Sequence, residues 1–225
     1  MATTEIHYTP DHWALLKRFR EEALQMIKPL SDHHIQALVY GSIARGDIKP
    51  TSDIDIFIPG PPNPAILQSL IEIQTPITHR EIIQATPNYA AKGYIHTAEK
   101  RSYSFPLVPL RSHEREFYRF AGSVDLQQLL EDIRVPGVDK RLKLIQPTPT
   151  GHTETPITGQ EGTTAKTLGI GITAVLDRVR TLNRREKIGR TGVYLQRTLA
   201  PHEGFGETYH RLAKRRPPLR RRLRN

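Results

Sequence analysis

Residues 39–60 read VYGSIARGDIKPTSDIDIFIPG. Gly41 and Ser42 are followed by Arg45 and Gly46, and then by two aspartates, Asp53 and Asp55, with only Ile54 between them. The alternation through Ile54, Ile56 and Ile58, stopped by Pro59 and Gly60, predicts a strand. Residues two apart in a strand point the same way. The isoleucines then supply a core face, and Asp53 and Asp55 share the opposite one. Two carboxylates so placed repel each other unless a cation lies between them. A hard divalent ion with oxygen ligands, most naturally Mg²⁺ with Mn²⁺ as its substitute, relieves that repulsion and also holds substrate phosphates.

The loop upstream suits the same chemistry. Gly41 lets the backbone approach a ligand closely. Ser42 and the amides after it are placed to bind phosphate oxygens, especially where a helical turn begins. SIARG is short and glycine-bounded, which predicts a loop or a single helical turn. Arg45 and Lys49 add positive charge, although Arg45 has the alternative role of bracing the loop. A phosphate cradle beside a two-carboxylate metal site suits phosphoryl transfer. The plain alternative is an edge strand with a solvated acidic face.

Working outward, TPDHWALLKRFREEALQMIKPL predicts a helix over about 10–28, with Thr9 as cap and Trp13, Leu16, Phe19, Leu24 and Ile27 near helical spacing. IQALVYG predicts a short buried strand ending at Gly41. PNPAILQSLIEI predicts a helix, and HREIIQAT, GYIHTA and SYSFPLVPL predict strands of a partly antiparallel sheet. His33 and His34 read as surface or cap residues, and His202 and His210 lack ligand spacing. Phe105, Phe117, Tyr118 and Phe120 read as core.

GSIARGDIKPTSDIDIFI resembles the signature of the DNA polymerase β-type nucleotidyltransferase superfamily, which includes CCA-adding enzymes and minimal nucleotidyltransferases. The resemblance covers roughly residues 35–60. It implies an α/β (α+β) fold with a mixed sheet and flanking helices, Gly41, Ser42 and Arg45 at the nucleoside triphosphate, and Asp53 and Asp55 as metal ligands. The family also carries a third carboxylate on a later strand. The segment around 79–110 is faintly similar to the equivalent region of archaeal-type CCA-adding enzymes, and there Ser104, Phe105 and Pro106 hold no acid. Glu81 is the preferred substitute, with Glu99 and Asp125 as others. A site that binds nucleotide but turns over poorly is the alternative.

The formal net charge is +10. The last fifteen residues, RLAKRRPPLRRRLRN, contain no acid. Such a basic surface attracts polyanions through counterion release. There is no cysteine, which excludes disulfides and thiol nucleophiles. No apolar run is long enough for a membrane span, and no secretory signal opens the chain. These features fit a cytoplasmic protein.

Composition suggests a nucleotidyltransferase domain over 1–145 and a Pro/Thr/Gly-rich linker at 146–160. A small winged helix-turn-helix module is expected over 161–200 and a basic tail over 201–225. TTAKTL, Gly169 and a helix over about 172–183, with Ile172, Val175, Val179 and Leu182 on one face, make a helix-turn-helix. EKIGRTGVYLQRTL then resembles a wing. A helical hairpin packed on the catalytic domain is the alternative. Arg178, Arg180, Arg184, Arg185, Lys187, Arg190 and Arg197, with Arg215, Arg216, Arg220, Arg221 and Arg222 in the tail, are the candidate nucleic-acid contacts. The expected function is metal-dependent transfer of a nucleoside monophosphate from NTP to a hydroxyl, on RNA rather than DNA. A nucleic-acid-binding regulator with a degenerate, nucleotide-sensing domain is the second reading.

Overall fold

The elements expected over residues 10–106 all form. In the computed structural model, which describes residues 3–189 and 192–223, the chain opens with β1 (Thr4–His7), α1 (Pro10–Ser31), β2 (Leu38–Tyr40), α2 (Ser42–Arg45) and β3 (Ile54–Phe57). It continues with α3 (Pro64–Gln74), β4 (His79–Gln84), β5 (Lys92–Ala98), β6 (Arg101–Pro106), α4 (Ser112–Ala121), β7 (Ser123–Val124) and α5 (Leu126–Leu130). Then come β8 (Gly137–Val138), β9 (Lys143–Thr148), β10 (Gly151–Pro156), α6 (Glu161–Leu168), α7 (Ile172–Ile188), β11 (Leu195–Thr198), α8 (Phe205–Arg215) and α9 (Pro217–Leu223).

Two compact units interleave along the sequence. The first comprises Met1–Met26, Leu38–Ile54 and Ser112–Thr191, and the second Ile27–Ala37, Asp55–Arg111 and Gly192–Asn225. The chain passes from one to the other within β3, between Ile54 and Asp55.

In the first unit β2 pairs antiparallel with β7. A separate sheet has the order β1-β10-β9-β8. Here the expected linker is corrected: residues 146–156 finish β9 and form β10, joined by the two-residue turn Pro149–Thr150. The threonines that suggested a loop are β-branched and fit the pleat. Pro147 is tolerated because β8 pairs only with Leu144 and Ile145 and ends before reaching it. Phe120, Val138, Leu144, Ile157, Val175 and Val179 share one buried cluster. Helices α6 and α7 therefore pack on the same core as α4, β8 and β9 instead of forming a module of their own.

The helix pair itself is as expected, with Gly169 in the left-handed conformation that closes α6. The wing is not. Helix α7 runs on to Ile188, and β11 pairs antiparallel with β4, Leu195 opposite Gln84. That pairing lies within the second unit, whose strands run β11-β4-β5-β6-β3.

The basic tail is also corrected. Phe205, Tyr209 and Ala213 recur every four residues along α8 and are buried, as is Leu219 in α9. Phe205 packs edge-on against Phe105, over Gly93. A Cβ at Gly93 would meet Phe105 Cζ at 2.6 Å, so only glycine permits this approach. The buried Arg80 guanidinium donates to Gln68 Oε1 and to the carbonyls of Ala200, Pro201 and Glu203, fixing the turn before α8.

Candidate active site

The cradle belongs to the first unit. Gly41 adopts φ 88°, a left-handed value, immediately before α2. Nothing crowds the position of its missing Cβ, so conformation and not space calls for glycine. Its N–H donates to Gly122 O at 2.8 Å. The amides of Ser42, Ile43 and Ala44 follow as first-turn donors, which a helix leaves without intrahelical acceptors. Ser42 Oγ donates to Ser52 Oγ at 3.3 Å, and Ser52 Oγ accepts from Lys49 N–H, so the loop between cradle and acidic strand closes on itself. Lys49 is exposed.

Arg45 takes the bracing alternative. It is 5% exposed and grips Asp47 with Nε and Nη2, while Nη1 donates to Ala121 O. Arg20 of α1 supports the other side, donating to Ile43 O at 3.1 Å and Ile133 O at 2.9 Å. One buried guanidinium, Arg20, thus holds α2 by its backbone, and the other, Arg45, ties α2 to Asp47 and Ala121 through its own side chain.

The acidic strand behaves as its alternation predicts. Ile54, Ile56 and Ile58 are fully buried, Asp53 is exposed, and Asp55 is half-buried. Asp53 lies one residue before Ile54, which closes the first unit's segment, and Asp55 opens that of the second. Within the second unit, Ser102 Oγ donates to Asp55 Oδ1 at 2.7 Å. Ser102 and Ser104 both face Asp55's side of β6, where the family resemblance leads one to look for an acid.

Glu81 is the carboxylate the structure adds to that face. It lies opposite Tyr94, and Tyr94 lies opposite Ser104, so β4, β5 and β6 align these side chains. Glu81 is 6% exposed and accepts from His96 Nε2 at 3.0 Å and from Gln196 Nε2 at 2.8 Å. Burial, then the neighbouring His79, push His96 below its ordinary pKa, against the pull of Glu81 and Asp55. The Glu81–His96 contact has an ion pair's distance, but a neutral imidazole N–H is the donor near pH 7. Burial first, then Asp55 and Glu81, push the Tyr94 phenol well up, so it stays protonated. Of the other candidates, Glu99 sits exposed in the β5–β6 turn. Asp125 is the N-cap of α5, in a capping box with Gln128.

The sequence reading missed His79 and His96. His79 and Glu81 show the i, i+2 spacing of one strand face, which is visible in HREIIQ. The partnership of His96 depends on the β4–β5 register, which is not. His79 and His96 stack with parallel rings, 4.1 Å between centroids.

The basic candidates divide. Arg180, Arg184, Arg185 and Lys187 are exposed on α7. Arg178 is half-buried, its guanidinium 4.8 Å from the Phe117 ring centre. In the second unit Arg215, Arg220 and Arg221 are exposed, and Arg216 lies over Tyr194. Arg222 differs from the expected surface arginine, being buried and donating to Pro109 O, while Arg197 is exposed and ion-paired with Glu203. Arg190 lies outside the described residues. His33 caps α1 through Pro29 O, as expected. Tyr118 and Phe120 are core. Among the described residues no helix is long and apolar enough to cross a membrane.

Residues 16–104, from within α1 to within β6, match the family model described as "Nucleotidyltransferase domain". The match covers less than half of the chain but includes the cradle and both aspartates. It supports membership of the nucleotidyltransferase superfamily for this part of the protein. No curated protein and no solved structure matches the chain.

Proposed function

We propose, from the similarity of residues 16–104 to nucleotidyltransferase domains, that this protein moves a nucleoside monophosphate from an NTP to a hydroxyl on RNA. The observation that carries the reading is the burial pattern of the acidic strand: Ile54 and Ile56 fully buried, Asp53 and Asp55 held out of the core between and beside them. A strand that needed only a solvated face has no use for two like charges at the closest same-face spacing.

The donor set fits the divalent ion the family implies. Asp53 and Asp55 offer hard carboxylate oxygens, and the Ser102 hydroxyl engages Oδ1 of Asp55, orienting the group. A bound Mg²⁺ supplies charge neutralisation on the triphosphate and acidifies the acceptor hydroxyl. Gly41 and Ser42 receive the triphosphate, with the α2 amides as donors. The acceptor oxygen bonds to the α-phosphorus, the bond to the bridging oxygen breaks, and pyrophosphate leaves. The acceptor proton passes to a carboxylate of the acidic strand, because both oxygens of Glu81 are taken by N–H donors. Arg45 and Arg20 act at a distance, by holding α2 in shape. The exposed α7 residues Arg184, Arg185 and Lys187 and, separately, Arg215, Arg220 and Arg221 provide phosphate contacts for RNA, with α6 and α7 as a helix-turn-helix pair.

The test is transfer from each α-labelled NTP, with Mg²⁺ or Mn²⁺ and total RNA, using Asp53→Asn and Asp55→Asn as controls. Label on RNA that disappears in the variants is the expected result. Label on the protein itself replaces RNA by a protein acceptor. Binding of NTP without transfer favours the second reading, a nucleotide-sensing regulator, for which Ser102 and Ser104 in place of an acid on β6 are the specific support.

A further inference from the structure

His79 and Glu81 leave the same face of β4, and His96 on β5 stands directly opposite His79. One ligand atom from each of the three lies within 4.8 Å of the other two. We propose that His79, Glu81 and His96 form a binding site for a transition-metal ion of the zinc type, separate from the hard-ion ligands Asp53 and Asp55. It does not depend on the protein being a transferase.

The chemistry of the donors selects the ion. Two imidazole nitrogens and one carboxylate suit a borderline ion such as Zn²⁺, whereas Mg²⁺ prefers oxygen alone. Ligands about 2.1 Å from a tetrahedral ion stand roughly 3.4 Å apart. His79 is exposed, so its ring is able to turn and close the remaining distance. Its side also gives the ion a route in from solvent.

The surrounding hydrogen bonds prepare each ligand. Thr78 Oγ1 has one proton and donates it to His96 O at 2.9 Å. Toward His79 Nδ1, 3.3 Å away, the same hydroxyl is therefore an acceptor. That fixes the proton of His79 on Nδ1 and leaves a lone pair on Nε2, the form a metal requires. Gln196 Nε2 pins one oxygen of Glu81, and the other faces His96 Nε2. An ion bound between these last two atoms takes the place of the proton on Nε2, and the neutral ring carries that proton on Nδ1 instead.

A purely architectural Glu81–His96 hydrogen bond accounts for two of the three residues. It has no need of His79, which is exposed and stacked on His96 in the same register. His79 is consequently the residue on which the proposal turns.

The test uses the full chain, stripped by chelator and held in excess Mg²⁺, then titrated with Co²⁺ and afterwards with Zn²⁺. One Co²⁺ per chain is expected, with visible d–d absorption that Zn²⁺ abolishes. The signal should survive Asp53→Asn with Asp55→Asn. It should weaken at least tenfold in His79→Ala, an exposed change that leaves circular dichroism unaltered, and disappear in His96→Gln. Absence of binding, binding indifferent to His79→Ala, or binding lost with the aspartates overturns the site. Failure of nucleotide transfer leaves all of these readouts intact, so the two proposals fail separately.

Discussion

Strands β3 and β4 each put a carboxylate on the same face of the second unit's sheet, and they treat it differently. Asp55 is half-buried beside fully buried Ile54 and Ile56, with a like charge two residues before it. Glu81 is nearly inaccessible and has an N–H donor on each oxygen. A buried carboxylate satisfied by neighbours is part of the architecture, because removing either side strands a polar group. A carboxylate with a like charge two residues before it gains from a cation bound between the two. Under the proposed function one acid holds structure and the other serves chemistry, and mutations should separate the two.

The largest effect should come from Asp55→Asn. Transfer activity should fall by about 10³-fold or more, since charge aimed at the reacting phosphates is lost. Its stability should stay within about 0.5 kcal/mol of the parent or rise, because a repulsion has been relieved. Urea unfolding beside the transfer assay decides the matter: a large loss of stability would make Asp55 structural and collapse the contrast.

Glu81→Gln should do the reverse in stability. An amide presents one oxygen and one NH₂ where two donors, His96 and Gln196, now point at oxygens. One donor must face another, at a cost of about 2–3 kcal/mol. A variant as stable as the parent would mean that Glu81 gains nothing from its two partners.

Local spacing made the chemical half of this contrast legible. Gly41–Ser42 and Asp53-Ile54-Asp55 are short-range patterns whose faces follow from strand geometry alone, so the cradle and the acidic strand were readable. Roles set by distant partners were not. Arg45 has the right position for a phosphate ligand, and Asp47 together with the carbonyl of Ala121, remote in sequence, turns it into a brace. Glu81 owes one partner to Gln196 on β11, a pairing between strands more than a hundred residues apart, where a wing was expected. Composition misled at two places. The arginines of residues 205–223 masked the apolar spacing of Phe205, Tyr209 and Ala213, and the prolines around 147–156 masked a hairpin whose register tolerates them.

Glu154 sharpens the comparison by replacing neutral donors with cations. Burial raises its pKa, but hydrogen bonds from Lys143 and Arg141 outweigh burial and bring it from 4.5 to about 2. A depressed folded pKa contributes stability that is complete above the unfolded value and lost as pH falls through the folded one. Glu154→Gln should therefore cost about 2 kcal/mol at neutral pH, and the gap should close between pH 4.5 and about 2. Denaturant unfolding of both proteins across that range measures it. A gap that persists unchanged at low pH would assign the cost to packing, not charge.

Ser102→Ala should cost less stability than Glu81→Gln or Glu154→Gln and be the most informative change on the site. It removes the hydroxyl that donates to Asp55 Oδ1 at 2.7 Å. Asp55 is half-buried, so water replaces much of the lost bond and stability should fall by only about 1 kcal/mol. The hydroxyl's larger job is to fix the rotamer of Asp55. Partners of this kind typically change metal affinity by about tenfold or more. The Mg²⁺ concentration for half-maximal transfer should rise accordingly, while the rate at saturating Mg²⁺ stays close to that of the parent. If the Mg²⁺ requirement does not move, Ser102 serves Asp55 as Gln196 serves Glu81, by satisfying a polar group, and the two strands differ less than their burial suggests.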